Sequence, residues 1–154
     1  MNKKNSSAEL VSNRKAHYNY EILETYEAGI VLKGTEIKSL RDNGGSLQEG
    51  YIKIIRSELW LIGSHIAVYK YGNVHNHEEK RDRKLLMHKR EIEKLRVATQ
   101  EKGLAIVPLS LYLSKGRVKI RIGLARGKKA ADKRETIKER DEKRYMDQVR
   151  KEFN

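Results

Sequence analysis

The fold of this chain is decided by residues 107–124, VPLSLYLSKGRVKIRIGL. Apolar residues recur at every second position, first from Val107 to Leu113 and again from Val118 to Leu124. This period of two predicts two half-buried strands. The three-residue link Ser114–Gly116 ends in glycine and predicts a hairpin. The second strand then presents its basic residues on the face away from the core: Arg117, Lys119 and Arg121.

Shorter runs nearer the amino terminus predict more strands. Tyr51–Arg56 and Leu59–Gly63 are expected to form a second hairpin that turns at Ser57-Glu58, and His65–Tyr69 is expected to follow as a strand. Further upstream, the predicted strands are Tyr18–Tyr26 and Ile30–Leu32, hinged near Glu27-Ala28-Gly29. Pro108 is expected at a strand start or a sheet edge, because proline cannot donate a ladder hydrogen bond.

Two helices are predicted between the strands. The first spans Thr35–Asp42, with Thr35 as its cap and Ile37 and Leu40 facing inward. The second spans about residues 88–102 and ends at Gly103, with an inner stripe of Ile92, Leu95 and Thr99. Many short antiparallel strands with few helices predict a mainly β fold, an OB-like antiparallel β-barrel.

Composition divides the chain into three zones. Residues 1–17 are mostly polar and are predicted to be a flexible amino-terminal segment. Residues 18–126 hold nearly all the Ile, Leu, Val and Tyr and are predicted to form the barrel. Residues 127–154 carry ten basic and seven acidic residues without an apolar face. We expect this last zone to be a basic tail that is disordered when free and helical when bound.

The charge of the chain constrains its partners. Lys and Arg number 34 against 21 Asp and Glu, so the formal net charge is +13. A surplus of this size favours acidic polymers or an anionic membrane surface. Because cysteine is absent, the sequence offers no disulfide framework, no thiolate nucleophile and no Cys-based zinc site. With neither a leader-like apolar stretch nor a run long enough to span a bilayer, we expect a cytoplasmic protein.

Several basic clusters indicate a nucleic-acid surface. Residues 80–84 place four cations in five positions, Asn13-Arg14-Lys15 precedes Tyr18 and Tyr20, and Lys38 and Arg41 share the outer face of the short helix. Each cluster alone is more often a solvated face. Gathered on one barrel, they favour RNA, and the eight tyrosines add side chains that can stack on unpaired bases.

The strongest enzyme hypothesis rests on residues 75–79. Two histidines, His75 and His77, lie beside two glutamates and could serve a metal-dependent nuclease. The stretch is loop-like and has no third ligand near it in sequence, so we favour a surface loop. The sequence accordingly predicts no enzyme, no catalytic residue, no metal and no cofactor.

Blocks of sequence in a fixed order resemble the SsrA-binding protein (small protein B) family. They are Asn13 to Ala16, Tyr20, Glu27 to Gly29, Gly34 to Arg41, Arg81 to Leu86, Pro108 to Tyr112, Gly127 to Lys129 and Asp132 to Arg134. Each block is short, but together they span roughly residues 13–145 in the family's order. The resemblance therefore covers most of the chain.

The resemblance implies a barrel of the oligonucleotide-binding type and a bacterial partner of transfer-messenger RNA. Family members clasp the tRNA-like domain of that RNA and enter ribosomes stalled on truncated messages, where translation resumes on the RNA's own frame. The implied partners are transfer-messenger RNA, the ribosome through its RNA and elongation factor Tu on the same RNA, with no membrane. A generic ribosomal or single-strand RNA-binding barrel protein is the alternative.

The resemblance also implies which residues bind. The RNA-facing positions carry over to Asn13, Arg14, Lys15, Tyr20, Glu27, Lys38, Arg83, Lys84 and Leu86, and the shared helix face adds Arg41. Glu27 either offsets part of the basic charge or accepts a hydrogen bond from a base or a ribose hydroxyl, which phosphates cannot donate. Leu86 belongs either to the core or to the support of the RNA face.

The tail residues carried over are Gly127, Lys128, Lys129, Asp132, Lys133 and Arg134. The resemblance implies that the tail lies as a helix in an empty mRNA channel near the decoding centre, with Gly127 as the hinge. Some members have a histidine directly before the Asp-Lys-Arg block, where this chain has Ala131.

Overall fold

The computed structural model describes residues 8–72 and 76–128. Within these residues the chain forms nine strands and three helices. In chain order they are β1 (Ala8–Ser12), α1 (Arg14–Asn19), β2 (Tyr20–Ile30), α2 (Gly34–Arg41), β3 (Gly45–Ser46), β4 (Tyr51–Ile55), β5 (Glu58–Ile62), β6 (His65–Ile66), β7 (Arg83–Leu86), α3 (Lys89–Glu101), β8 (Ala105–Ser114) and β9 (Arg117–Gly127).

Seven strands form one antiparallel sheet in the order β1-β8-β9-β2-β7-β5-β4. The sheet curls so that its edge strand β4 contacts β8, the second strand from the opposite edge. β3 and β6 pair separately as a two-stranded sheet. This curled antiparallel architecture confirms the predicted mainly β, OB-like barrel.

The hairpin predicted at residues 107–124 is present and is longer than expected. Its turn contains two residues rather than three, because Ser114 pairs with Arg117 as part of the ladder. Lys115 and Gly116 both have positive φ, 52° and 78°. Two such residues match the primed turns that suit twisted hairpins. Pro108 lies at an irregularity of the β8–β9 ladder, where a missing N–H is tolerated.

The second hairpin is also present, with its turn one residue earlier than predicted. Glu58 pairs with Ile55, so the turn consists of Arg56 and Ser57, both with positive φ. The strand predicted at residues 65–69 is shorter, since only His65 and Ile66 pair with β3.

The amino-terminal region differs most from the sequence prediction. Residues 8–17, assigned to a flexible segment, form β1 and much of α1, and β1 pairs with β8. Burial of Val11 and Ala16 explains this order, since both pack in the core. Residues 1–7 of that segment lie outside the described residues.

The predicted hinge at residues 27–29 is replaced by an uninterrupted strand. β2 runs for 11 residues, and its register shift lies between Ile22 and Glu24. Ala28 and Gly29 stay in the ladder opposite Ile120 and Lys119, because the long partner β9 continues past them.

Both predicted helices are present with small changes at their ends. The cap of α2 is Lys33 rather than Thr35, and the Lys33 N–H donates to Glu36 Oε1 at 2.7 Å. Leu40 is buried and Ile37 partly buried, as predicted. In α3 the buried stripe consists of Ile92, Leu95 and Ala98, with Thr99 at its margin.

The core lies inside the curled sheet. Fully buried apolar side chains come from α2, from α3 and from the inner faces of the strands, and they include Leu40, Leu59, Leu61, Leu95, Ile120 and Ile122. A smaller cluster beneath α1 contains Ala16, Val107, Leu109 and Ala125. Among the described helices, none is both long and apolar enough to cross a membrane.

Candidate nucleic-acid interface

One outer face of the barrel carries an ordered row of side chains. Leu86 on β7 is paired with Gly29 on β2, Gly29 with Lys119 on β9, and Lys119 with Tyr112 on β8. Directly paired residues of an antiparallel sheet point to the same face. The row therefore crosses four strands on the side opposite Ala28 and Ile120, which enter the core.

Glu27 lies on the same face, two residues before Gly29, and is exposed. The Tyr112 hydroxyl donates a hydrogen bond to Glu27 Oε2. Arg121 is paired with Glu27, and its guanidinium carbon lies 5.2 Å from the centre of the Tyr112 ring. A carboxylate at the surface is thus held in place by a buried tyrosine and flanked by an arginine.

Tyr112 is suited to this task because it remains a donor. Burial, the hydrogen bond to Glu27 and the charge of Glu27 together raise the pKa of Tyr112 to about 12. The hydroxyl is therefore protonated throughout the physiological range and keeps the carboxylate oriented.

Leu86 is 52% exposed, so it belongs to the surface rather than to the core. A Cβ placed on Gly29 would lie 3.3 Å from Leu86 Cβ, which is a tight approach. Glu27, Gly29, Leu86 and Lys119 line a shallow cavity of about 370 Å³. We call Glu27, Leu86, Tyr112, Lys119 and Arg121 the Glu27 site.

The Glu27 site combines groups that suit RNA. Lys119 and Arg121 can bind phosphates, while Glu27 can accept only from donors such as ribose hydroxyls and base amino groups. Sequence reasoning identified Lys119 and Arg121 as outward-facing but did not count them as site residues. Tyr112 ends one of the blocks that resemble the family, but no sequence signal indicated its contact with Glu27, 85 residues away.

Lys84 lies two residues before Leu86 on the same face of β7. Its Nζ lies 2.8 Å from Glu58 Oε2, and both side chains are nearly half exposed. The hydrogen bond and charge of Lys84 lower the pKa of the Glu58 carboxyl. An exposed pair of this kind is weak and open to exchange with a phosphate.

Arg83, in contrast, points into the protein and is fully buried. Its Nε donates to Glu36 Oε2 at 2.9 Å, and its Nη1 donates to Ser64 Oγ at 3.0 Å. Its Nη2 donates to the Glu79 carbonyl at 3.2 Å. Arg83 therefore links Glu36 on α2 to Ser64 and to Glu79. Its charge is not presented to the surface.

Glu36 is the centre of this internal network. Arg81 Nη2 donates to Glu36 Oε1 at 2.6 Å. Burial acts to raise the pKa of the Glu36 carboxyl, but hydrogen bonds from Arg81, the Lys33 N–H and Arg83 outweigh it and hold that pKa below its ordinary value. Glu36 is thus a buried carboxylate, and burial in turn lowers the pKa of Arg83.

Asn13 is also internal. Its Nδ2 donates to the Pro108 carbonyl at 2.8 Å and to the Leu47 carbonyl at 3.4 Å, while its backbone N–H donates to the Leu109 carbonyl. Among the described residues, its buried Oδ1 has no hydrogen-bond partner. Asn13 fixes the turn between β1 and α1 against β8.

A separate basic end of the barrel forms where α1 meets the end of β9. Arg14 and Lys15 are exposed on α1, and half-buried Tyr20 is paired with Gly127. The Lys128 N–H donates to the Asn19 carbonyl at 2.9 Å, and Lys128 Nζ donates to the His17 carbonyl at 3.1 Å. The predicted tail residues Lys129, Asp132, Lys133 and Arg134 lie outside the described residues, as does Ala131.

Lys38 and Arg41 are exposed on the outer face of α2, as predicted. The Lys38 ammonium lies 5.8 Å from the centre of the Tyr69 ring.

The structure does not support His77 as a metal ligand. Its ring is buried, with Nε2 donating to the Ile66 carbonyl at 2.8 Å and Nδ1 lying 2.9 Å from Thr35 Oγ1. Both nitrogens are engaged, so His77 is a structural link between α2 and β6. His75 lies outside the described residues, and within residues 8–72 and 76–128 no three side chains are grouped to hold a metal.

Comparison with known proteins identifies the family to which this chain belongs. The model of the family described as SmpB protein matches residues 10–152. The SsrA-binding protein of Protochlamydia amoebophila is 64% identical over 97% of this chain and 97% of its own length. That of Chlamydia muridarum is 57% identical over 92% of this chain and 93% of its own.

A solved structure is similar as well. It is a chain from "tmRNA-SmpB: a journey to the center of the bacterial ribosome", with 47% identity and a TM-score of 0.67. The similarity covers 80% of this chain and 87% of that one. With a family match across nearly its whole length and close relatives of the same size, the chain belongs to the SmpB protein family.

Proposed function

We propose that this protein binds the tRNA-like domain of transfer-messenger RNA and delivers that RNA to stalled ribosomes for trans-translation. The observation that carries the proposal is the Glu27 site, in a chain whose relatives are named SsrA-binding proteins. A fixed carboxylate among cations, on a chain of net charge +13, fits a ligand with both phosphates and hydrogen-bond donors. RNA is such a ligand.

In this proposal the outer face of the sheet binds the folded RNA. Lys119, Arg121 and Lys84 contact phosphates, Glu27 accepts from a ribose hydroxyl or a base, and Leu86 packs against the sugar or base beside it. Arg14, Lys15, Tyr20, Lys38 and Arg41 extend the contact at other parts of the surface. Arg83 and Asn13 act from inside by holding the elements that carry these groups.

The protein performs no bond chemistry in this scheme. It acts in the cytoplasm by binding and positioning an RNA, to which elongation factor Tu also binds. The family is one of RNA-binding factors, which supports this non-enzymatic role.

The carboxyl-terminal residues serve the ribosome in this proposal. Lys129, Asp132, Lys133 and Arg134 face ribosomal RNA in the empty mRNA channel and the decoding centre, and Gly127 and Lys128 connect them to the barrel. Because Lys128 is tied to α1, we place the working boundary between body and tail after Lys128. The proposed domains are a barrel that ends at Lys128 and a tail that binds in the empty mRNA channel.

The binding test compares the full chain on two RNAs, the isolated tRNA-like domain and an RNA duplex of equal length. We expect tighter binding to the domain, and loss of about tenfold for Glu27→Gln because one charge-assisted hydrogen bond disappears. Lys119→Ala should reduce the salt dependence by about one unit for a lost phosphate contact. Lys94→Ala, an equal charge change on exposed α3, is the control. Equal affinity for both RNAs would overturn the proposal and favour a generic RNA-binding barrel.

The division of labour has its own test. A chain that ends at Lys128 should keep its affinity for the tRNA-like domain and lose the tagging of proteins on stalled ribosomes. If truncation weakens both equally, body and tail do not divide the work in this way.

A further inference from the structure

A cluster of aromatic and cationic side chains lies away from the Glu27 site, on α2 and on the segment that follows β6. The centres of the Tyr69 and Tyr71 rings are 5.5 Å apart, and the ring planes meet at 72°. Lys70 Nζ lies 5.1 Å from the centre of the Tyr71 ring, and Lys38 Nζ lies 5.8 Å from that of Tyr69. We call Lys38, Tyr69, Lys70 and Tyr71 the tyrosine platform.

Tyr71 is unusually exposed for a large aromatic residue. Its exposed fraction is 72%, more than that of Tyr51 at 51% or Leu86 at 52%. The Tyr69 ring and the Lys70 ammonium lie beside the Tyr71 ring. A ring held at the surface in this way contributes little to the core.

The backbone beneath the platform is firmly held. Asn76 accepts from the Tyr69 N–H at 3.1 Å and donates to the Tyr69 carbonyl at 2.8 Å. The Gly72 N–H also donates to that carbonyl, and the Ala67 N–H donates to the Gly44 carbonyl at 2.7 Å. Binding to a platform already ordered avoids much of the entropic cost of ordering a loop.

The chemistry of the platform favours RNA over a protein partner. A protein partner would need carboxylates placed for both Lys38 and Lys70 as well as a pocket for the exposed Tyr71 ring. A nucleotide supplies both parts, a flat base for the tyrosine and a phosphate for the lysines. Arg41, also exposed on α2, adds a further cation on this element.

We propose that the tyrosine platform is a second RNA contact, which stacks an unpaired base on Tyr71 and binds the adjoining phosphate through Lys38 and Lys70. The base displaces the Lys70 ammonium from the Tyr71 ring, and Lys70 then turns to the phosphate. The inference rests on the proposed function in that its ligand is RNA and it shares Lys38 with that contact, but it adds Tyr69, Lys70 and Tyr71 and names an unpaired nucleotide.

The test uses the full chain and a labelled single-stranded oligouridylate of eight nucleotides, with fluorescence anisotropy as the readout. Tyr71→Ala should weaken this binding about tenfold, because stacking of a base is lost. Tyr71→Phe keeps the ring and should bind as the parent does. Tyr51→Ala removes another exposed tyrosine, on β4, and should have no effect. Thermal unfolding of each variant confirms that the fold is kept.

The outcomes separate this inference from the proposed function. Unchanged oligouridylate binding by Tyr71→Ala would overturn the platform, whatever the affinity for the tRNA-like domain. Loss in both Tyr71→Ala and Tyr71→Phe would also overturn it, since stacking does not need the hydroxyl. Glu27→Gln should weaken binding of the tRNA-like domain and leave oligouridylate binding unchanged. If the domain is not preferred over duplex while Tyr71→Ala still loses the oligomer, the platform stands and the proposed function fails.

Discussion

Glu36 on α2 and Arg83 on β7 form an ion pair in which neither side chain has any solvent exposure. Arg83 Nε donates a hydrogen bond to Glu36 Oε2 at 2.9 Å, and Arg83 Nη2 lies 2.7 Å from the same oxygen. Arg81, partly exposed, covers the other carboxylate oxygen. Removing one member of a buried pair leaves the other charge without compensation, which costs far more than the pair itself contributes.

Glu36→Gln should therefore destabilise the protein strongly. The substitution keeps the shape of the side chain but leaves the Arg83 charge buried, and we expect the free energy of unfolding to fall by about 3 kcal/mol. Urea unfolding followed by circular dichroism measures it. Glu58→Gln, which breaks the exposed pair with Lys84, is the matched control and should barely move the unfolding midpoint. Equal effects of the two variants would contradict the structural role of Glu36.

The same pair predicts a pH dependence. In the unfolded chain Glu36 titrates near its ordinary pKa of 4.5, and in the folded protein its pKa is lower. Its stabilisation is therefore complete above pH 4.5 and is lost as the pH falls through the folded pKa. The difference in unfolding free energy between the parent and Glu36→Gln should shrink as the pH is lowered from 7 to 3. A difference that stays constant over this range would show that the charge of Glu36 is not responsible.

Tyr112→Phe tests whether Glu27 must be oriented. The variant loses only the hydroxyl that donates to Glu27 Oε2, so the barrel should stay folded while affinity for the tRNA-like domain falls by roughly tenfold. Combined with Glu27→Gln, it should add little further loss, because the two residues act through one hydrogen bond. Fully additive losses in this double-mutant cycle would mean that Tyr112 contributes independently.

The β4–β5 turn offers a stabilising change. Arg56 and Ser57 have φ of 51° and 63°, a region that non-glycine residues avoid. Replacing them with Asn and Gly, the pair preferred in primed hairpin turns, should raise the free energy of unfolding by about 1 kcal/mol. In the β8–β9 turn, Gly116 already has a φ of 78°, which glycine adopts without strain. Gly116→Ser should therefore lower the free energy of unfolding. Chemical denaturation should show a higher free energy of unfolding for the first variant and a lower one for the second.

His77 gives a prediction that separates structure from metal binding. His77→Ala leaves the Ile66 carbonyl and the Thr35 hydroxyl without their partner, so we expect a loss of about 2 kcal/mol in unfolding free energy. Zinc should not raise the melting temperature of the parent protein. A zinc-dependent rise that disappears in His77→Ala would revive the metal-site hypothesis.

The strands and their outward cations were predictable because alternation is a local property. Lys119 and Arg121 separate Val118, Ile120 and Ile122 in sequence, and a period of two places them on the opposite face wherever the strand is packed. The lengths of the turns were harder to predict from the sequence. Whether Ser114 pairs or turns depends on the register of the whole hairpin, which Ser114 alone does not reveal.

The cations of residues 81–84 show the limit of such reasoning. In sequence, Arg83 and Lys84 are neighbours with the same charge, and the family resemblance implies an RNA-facing role for both. The structure places Arg83 inside beside Leu85 and leaves Lys84 outside beside Leu86. The side on which each lies depends on how β7 pairs with β2 and β5, two strands distant in sequence.

By itself, the amino-acid sequence determined a basic antiparallel barrel, its main hairpins, its two longer helices and the family resemblance. These features follow from residue spacing, turn residues and charge, which are all local properties of the sequence. The tertiary structure alone decided that Tyr112 orients Glu27, that Arg83 and Asn13 are internal, and that Lys38 reaches Tyr69. Those pairs are distant along the chain, so their contacts exist only once the strands have taken their places in the curled sheet.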